Sequence, residues 1–213
     1  MKNNNIYIVL VKAHTGLGKF IRKFTKYEYT HIAVSLDANF NKFYTFSRKN
    51  HYTPFDSGYM VETLDCYAYG NHKDIKLKIF KLPVENIKEI ESFITNISKD
   101  KDYIFNLYSM ITMPLLNGFR IYKSHNCMTF TSKIIELSNK VKLTKPYYKY
   151  SIKDIDNLLS KYLYREDIFT KDKIETPNYM KKINIFKNII SFIKLNITLI
   201  YRLIMKGNLK NEE

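Results

Sequence analysis

The run Ile6–Lys12, IYIVLVK, is continuously apolar and rich in β-branched residues, the pattern of a strand covered on both faces. The period then changes. From Gly16 to Thr25, Leu17, Phe20, Ile21 and Phe24 recur at helical spacing with Lys19, Arg22 and Lys23 between them, which predicts an amphipathic helix. Residues 30–36, THIAVSL, alternate, with Ile32, Val34 and Leu36 on one face and His31, Ala33 and Ser35 on the other. Turn residues between Asp37 and Asn41 lead into KFYTFSR, so these segments form a hairpin whose second arm carries Phe43, Thr45 and Ser47 on one face.

Residues 49–72 hold Pro54, Gly58 and Gly70 and read as loop, and IKLKIFKL after them reads as a strand. Helices are expected from Pro83 to about Lys99, from Tyr103 to a stop at Pro114, and after Ser124 or Asn126, where Phe130, Ile134, Leu137 and Val141 recur. A shorter helix is expected from Ser151 to about Tyr162, and Asn117 with Gly118 makes a turn. The whole reads as an α+β domain, an antiparallel sheet packed against helices, over residues 1–165. A polar linker over 166–182 and a basic amphipathic helix over 183–206 complete the chain.

That last helix gathers Lys187, Ser191, Lys194, Thr198 and Arg202 into one stripe, and the rest of it is nearly all apolar. It is long enough to cross a bilayer, but each cation near the centre costs about 2.5–3.5 kcal/mol. A helix lying in a membrane interface with its cations on the polar face fits better. The alternative is a helix packed on the domain's own core with its Lys stems snorkelling.

With 213 residues, 45% of them hydrophobic, the chain has material for a real core, which excludes intrinsic disorder. The net charge of +15 would suit a polyanion. The lysines are spread along the chain, however, and no zinc finger, helix-turn-helix or RNP1 motif accompanies them, so nucleic acid ranks last among partners. Cys66 and Cys127 have no CxxC or Cys/His metal spacing; neither a disulfide framework, a metal nor a cofactor is called for, and a reducing compartment fits best. The N-terminal apolar stretch reads as a strand and not as a signal peptide, which points to the cytoplasm, with the tail offering attachment to a membrane periphery.

Candidate chemistry centres on two residues. Cys127 follows Asn126 at a predicted helix N-terminus, where unpaired amides and the helix dipole favour a thiolate and can stabilise an oxyanion. His31 lies on the polar side of an apolar strand, where a neutral imidazole can take a thiol proton. Each has a plainer reading, a small buried hydrophobe and a hydrogen-bonded strand histidine. Cys66 lacks such a context and reads as structural.

The order of these segments, a helix running into YTHIAVSL, a hairpin into FYTFSR, and then HNCMTFTSKII, resembles the circularly permuted papain-like proteins of the NlpC-like superfamily, in particular the YiiX-type branch. The resemblance covers about residues 6–160 and implies a thiol hydrolase or acyltransferase with His31 as base and Cys127 as nucleophile. Relatives carry a His, Glu, Gln or Asp on the strand after the histidine. The matching place here is Thr45, with Ser47 next on the same face and His51 or Glu62 as groups that could fold back. Asn126 and His125 are the oxyanion candidates beside the Cys127 amide. The implied substrate is a peptide, amide, ester, thioester or lipid acyl group. The competing reading is a membrane-associated binding module that keeps a papain-like groove without catalysis.

Overall fold

In the computed structural model, which describes residues 4–12, 22, 25–67, 74–170 and 179–206, the apolar run is a strand, β1 (Asn5–Lys12), at the interior of a sheet. It pairs antiparallel with β2 (His31–Ser35) on one side and with β5 (Asp74–Pro83) on the other. Both neighbours satisfy its backbone, and both of its faces are covered, so charged side chains are absent between Ile6 and Val11. β3 (Phe43–Arg48) and β4 (Ser57–Glu62) continue the meander beyond β2, and β8 (Leu163–Thr170) closes the far edge beside β5. The sheet order is β4-β3-β2-β1-β5-β8, and every pairing in it is antiparallel.

Alternation along the strands splits the core in two. Ile6, Ile8, Leu10, Ile32, Val34 and Phe46 face the layer of helices. Tyr7, Val9, Val11, Ala33, Phe43 and Ile79 face the other way, where Phe40, Cys66, Tyr67 and Tyr179 cover them. The helices are α1 (Ile87–Lys99), α2 (Leu107–Leu116), α3 (Cys127–Leu137), α4 (Ile152–Leu158) and α5 (Ile185–Met205). α1 buries Ile90, Ile94 and Ile97, and α3 packs across β2 and β3 through residues such as Phe130 and Ile134. A two-stranded parallel bridge of β6 (Ile104–Phe105) and β7 (Ser124–His125) fixes the chain just before α3.

Several expectations change. Residues 57–62, expected in a loop, form β4 because backbone pairing with β3 carries the segment and Gly58 needs no side-chain partner at its position opposite Ser47. The linker expected over 166–182 begins inside β8; an edge strand needs partners on one side only, so its exposed polar residues are tolerated. α2 runs through Pro114 to Leu116, since a proline in the last turn forfeits little before the chain leaves the helix. Asn117 ends α2 in the left-handed region, and Gly118 follows at φ +75°, where an added Cβ would lie 2.2 Å from the Tyr148 carbonyl oxygen. The helix expected over Gly16–Thr25 lies almost wholly outside the described residues.

Candidate active site

His31 opens β2 and therefore stands at the end of the sheet, where its ring meets groups from both of the sheet's faces. Its Nε2 lies 2.8 Å from Glu62 Oε2. Glu62 ends β4 opposite Phe43 and is 2% exposed. The same carboxylate accepts hydrogen bonds from the Ser47 hydroxyl and, at 2.8 Å, from the Tyr67 hydroxyl. Tyr67 also packs on the imidazole, with ring centroids 5.5 Å apart. Glu62 is thus a buried acid with three donors around it, the arrangement that lets a carboxylate stay ionised out of water.

On the other side, His31 is within hydrogen-bond reach of the Cys127 side chain. Because Glu62 occupies Nε2, Nδ1 is the nitrogen left for the thiol. Burial opposes a charge on the ring, but the Glu62 carboxylate and the Cys127 side chain outweigh it and raise His31 to about 10. Burial likewise pushes Glu62 up, and the neighbouring His31 together with the Ser47 and Tyr67 hydroxyls brings it below the ordinary carboxylate value. The pair is ionised as His31 cation and Glu62 anion at neutral pH.

Cys127 is the first residue of α3, and local chemistry explains why the helix starts there. Asn126 Oδ1 accepts from the Thr129 amide at 2.9 Å while Thr129 Oγ1 accepts from the Asn126 amide at 2.9 Å, a reciprocal cap. The amides of Cys127 and Met128 fall in the first turn, where the helix supplies no acceptors. The Asn126 side-chain Nδ2 is fully buried and has no hydrogen-bond partner among the described residues. The Asn106 amide donates to the His125 carbonyl at 2.8 Å, which locks the strand leading into the cysteine.

The structure therefore brings His31, Glu62, Ser47 and Cys127 together, with Asn126 adjoining. It does not bring Thr45 to the ring: the Thr45 hydroxyl is buried and donates to the Ile32 carbonyl at 3.0 Å, across the β2–β3 pair. His51 is held elsewhere, with Arg48 bonding its carbonyl at 3.0 Å and its amide donating to the Tyr179 carbonyl at 2.8 Å. Burial and Arg48 lower its ring to about 4. His125 turns away from Cys127 into an aromatic cage, stacked on Tyr103 with centroids 5.7 Å apart and edge-on to Phe46 and Phe93. Burial, Arg120 and Lys133 lower it to about 3, so it stays neutral. Cys66 is buried beside Thr63, and burial with the nearby Glu62 charge raises its thiol to about 11, the opposite of activation.

Tyr67 is the one member of the cluster that sequence reasoning did not single out. Its signal lay in position: once β4 ends at Glu62, the short turn at Leu64–Cys66 returns the chain so that Tyr67 meets the acid five residues before it. Among the described residues no group of three or more His, Cys, Asp or Glu side chains is arranged to hold a metal ion. The chain matches no family model, no curated protein and no solved structure.

Proposed function

We propose that the protein is a cysteine-dependent acyl-transfer enzyme, a hydrolase or acyltransferase acting on an amide, ester or thioester. The observation that carries this reading is the Glu62–His31–Cys127 alignment at the head of α3. His31 carries a proton at neutral pH and so stands as the proton donor of the pair, while Cys127 reacts through its thiolate, the nucleophilic form of any thiol. Cys127 Sγ forms a bond to the carbonyl carbon, and the oxyanion takes the unpaired first-turn amides and Asn126 Nδ2. His31 then gives its proton to the leaving group as the carbon–leaving-group bond breaks. Water or a second acceptor next gives a proton back to His31 and displaces the acyl group from sulfur. Glu62 orients the ring and holds its charge, the role an acid plays in such triads.

The order of base before nucleophile along the chain, within an antiparallel sheet packed on a cysteine-headed helix, supports the permuted papain-like reading of the fold. A second reading, a groove that binds without turnover, draws on the burial of Cys127, which is 7% exposed. One experiment separates the two. The intact protein is incubated with an aryl thioester and an aryl ester, and the adduct is located by peptide mass mapping. A transient acyl group on Cys127, lost in Cys127→Ala and formed at least about tenfold more slowly in His31→Ala, supports the enzyme. Absence of an adduct, or equal acylation of Cys66, overturns it.

A further inference from the structure

A helix packed on a globular domain ordinarily turns its apolar stripe inward. α5 does the reverse. Three of its polar side chains bond to the rest of the protein: Asn188 donates to the Tyr52 carbonyl at 2.7 Å, and Asn196 accepts from the Tyr108 hydroxyl at 2.7 Å. Arg202 donates to the carbonyls of Tyr122, Lys123 and Asp102 at 3.1, 2.8 and 2.8 Å. Leu195 and Leu199 are its only buried residues, helped by Phe192 edge-on to Phe55 at 4.8 Å. At about 100° per residue, Phe186, Ile190, Ile193, Ile197, Tyr201 and Ile204 fall on the opposite arc, and all of them are exposed.

α2 extends that surface. Tyr108 joins it to α5, and Ile111 and Leu115 follow Tyr108 at i+3 and i+7, so they share its side of α2. They are 62% and 80% exposed, with Leu116 beside them at 60%. Exposed apolar side chains gathered in this number on two bonded helices mark a partner or a membrane.

We propose that α2 and α5 together form a platform that seats the protein, side-on, on an anionic lipid bilayer. Charge decides for lipid over protein. Lys187 and Lys194 are exposed and project along one flank of the apolar arc, where their stems lie on apolar surface while the ammonium groups reach lipid phosphates. The net charge of +15 adds a general attraction to the same surface. The helix lies flat because crossing would bury Lys187 and Lys194 and pull Arg202 from three carbonyls. The interfacial reading of the sequence thus keeps its membrane and its apolar face, and gains an anchor: Asn188, Asn196 and Arg202 hold the helix to the domain while the bare apolar arc meets the lipid.

The test is flotation of the full chain with vesicles of phosphatidylcholine alone or mixed with phosphatidylserine. Three variants are compared with the parent: Ile193→Asn with Ile197→Asn, Ile111→Asn with Leu115→Asn, and Lys187→Glu with Lys194→Glu. Binding to the phosphatidylserine vesicles, lowered about tenfold or more by each pair and released by alkaline carbonate, supports the platform. Unchanged melting temperatures in the variants show that lost binding is not lost folding. Four results overturn it: no flotation of the parent, binding indifferent to the α2 pair, resistance to carbonate, or a dimer in sedimentation that the apolar substitutions dissolve. Acylation of Cys127 is read separately, so failure of either proposal leaves the other standing.

Discussion

The corner where β2, β4 and α3 meet and the outer surface of α2 and α5 break opposite rules. At the corner, an acid and a base sit where apolar side chains would pack more cheaply; on the outer surface, isoleucines and leucines face water where lysine and glutamate would dissolve better. In both places one charged group is turned to the protein and bonded there, Glu62 by three donors and Arg202 by three carbonyls. What differs is the demand each leaves open. The corner retains unspent donors at the head of a helix and calls for a developing negative charge, whereas the platform retains unspent apolar area and calls for a non-aqueous phase. Neither demand is met among the described residues.

The largest effect is expected at the acid. Glu62→Gln leaves the buried His31 charge without its partner, and the fold should lose about 3–5 kcal/mol in urea denaturation at neutral pH. The pH dependence has a definite sign. His31 holds its proton more tightly folded than unfolded, so its contribution is complete below about pH 6.5 and fades as pH climbs through about 10. Glu62 is lowered, so its share is complete above about 4.5 and is lost on acidification below that. The stability gap between parent and Glu62→Gln should therefore narrow on both sides of the neutral range; a gap that is flat with pH would mean the pair is not ionised and would weaken the contrast drawn above.

The oxyanion contribution comes next. Serine caps helices as well as asparagine does but lacks the amide nitrogen. Asn126→Ser should leave alkylation of Cys127 by iodoacetamide within about twofold while slowing its acylation by a thioester about 10²-fold. Parallel losses in both reactions would instead assign Asn126 to holding the helix. Thr45→Val is a milder probe: loss of its bond to the Ile32 carbonyl should lower stability by about 1 kcal/mol and leave acylation unchanged, since the ring is oriented by Glu62. The smallest change is expected on the platform. Ile197→Ser should shift folding stability by no more than about 0.5 kcal/mol in water, while Leu199→Ala, on the inward side of the same helix, should cost about 2–4 kcal/mol. Equal costs at the two positions would show that the outer arc packs on protein.

Much of the fold was legible because periodicity is a local signal. β1, the β2–β3 hairpin, β5 and α1 follow directly from apolar spacing, and α3 and α4 from spacing together with the caps Asn126 and Ser151. β4 and β8 were hidden because their stability comes from backbone pairing with a neighbour that the segment itself does not reveal. The same cause blurred the site. His31 and Cys127 carry their chemistry in their own immediate context, one on an alternating strand and one behind a cap. Glu62 could be named only among several candidates, because its meeting with His31 depends on the β3–β4 register, which runs from Phe43 opposite Glu62 to Arg48 opposite Ser57. For α5 the spacing revealed a stripe and an arc but not which of them faces inward, since that is decided by carbonyls at Tyr122, Lys123 and Asp102, far away in the chain.

The position of the paired residues along the chain also sets an order in time. His31, Ser47, Glu62 and Tyr67 all belong to one continuous segment around the β2–β4 meander, and Cys127 follows 60 residues after Tyr67. At roughly 5–20 residues per second of synthesis, the meander precedes the thiol out of the ribosome by about 3–12 s. A nascent chain thus has the means to assemble its acid and imidazole before the Cys127 sulfur exists, and the thiol arrives at a partner already in place.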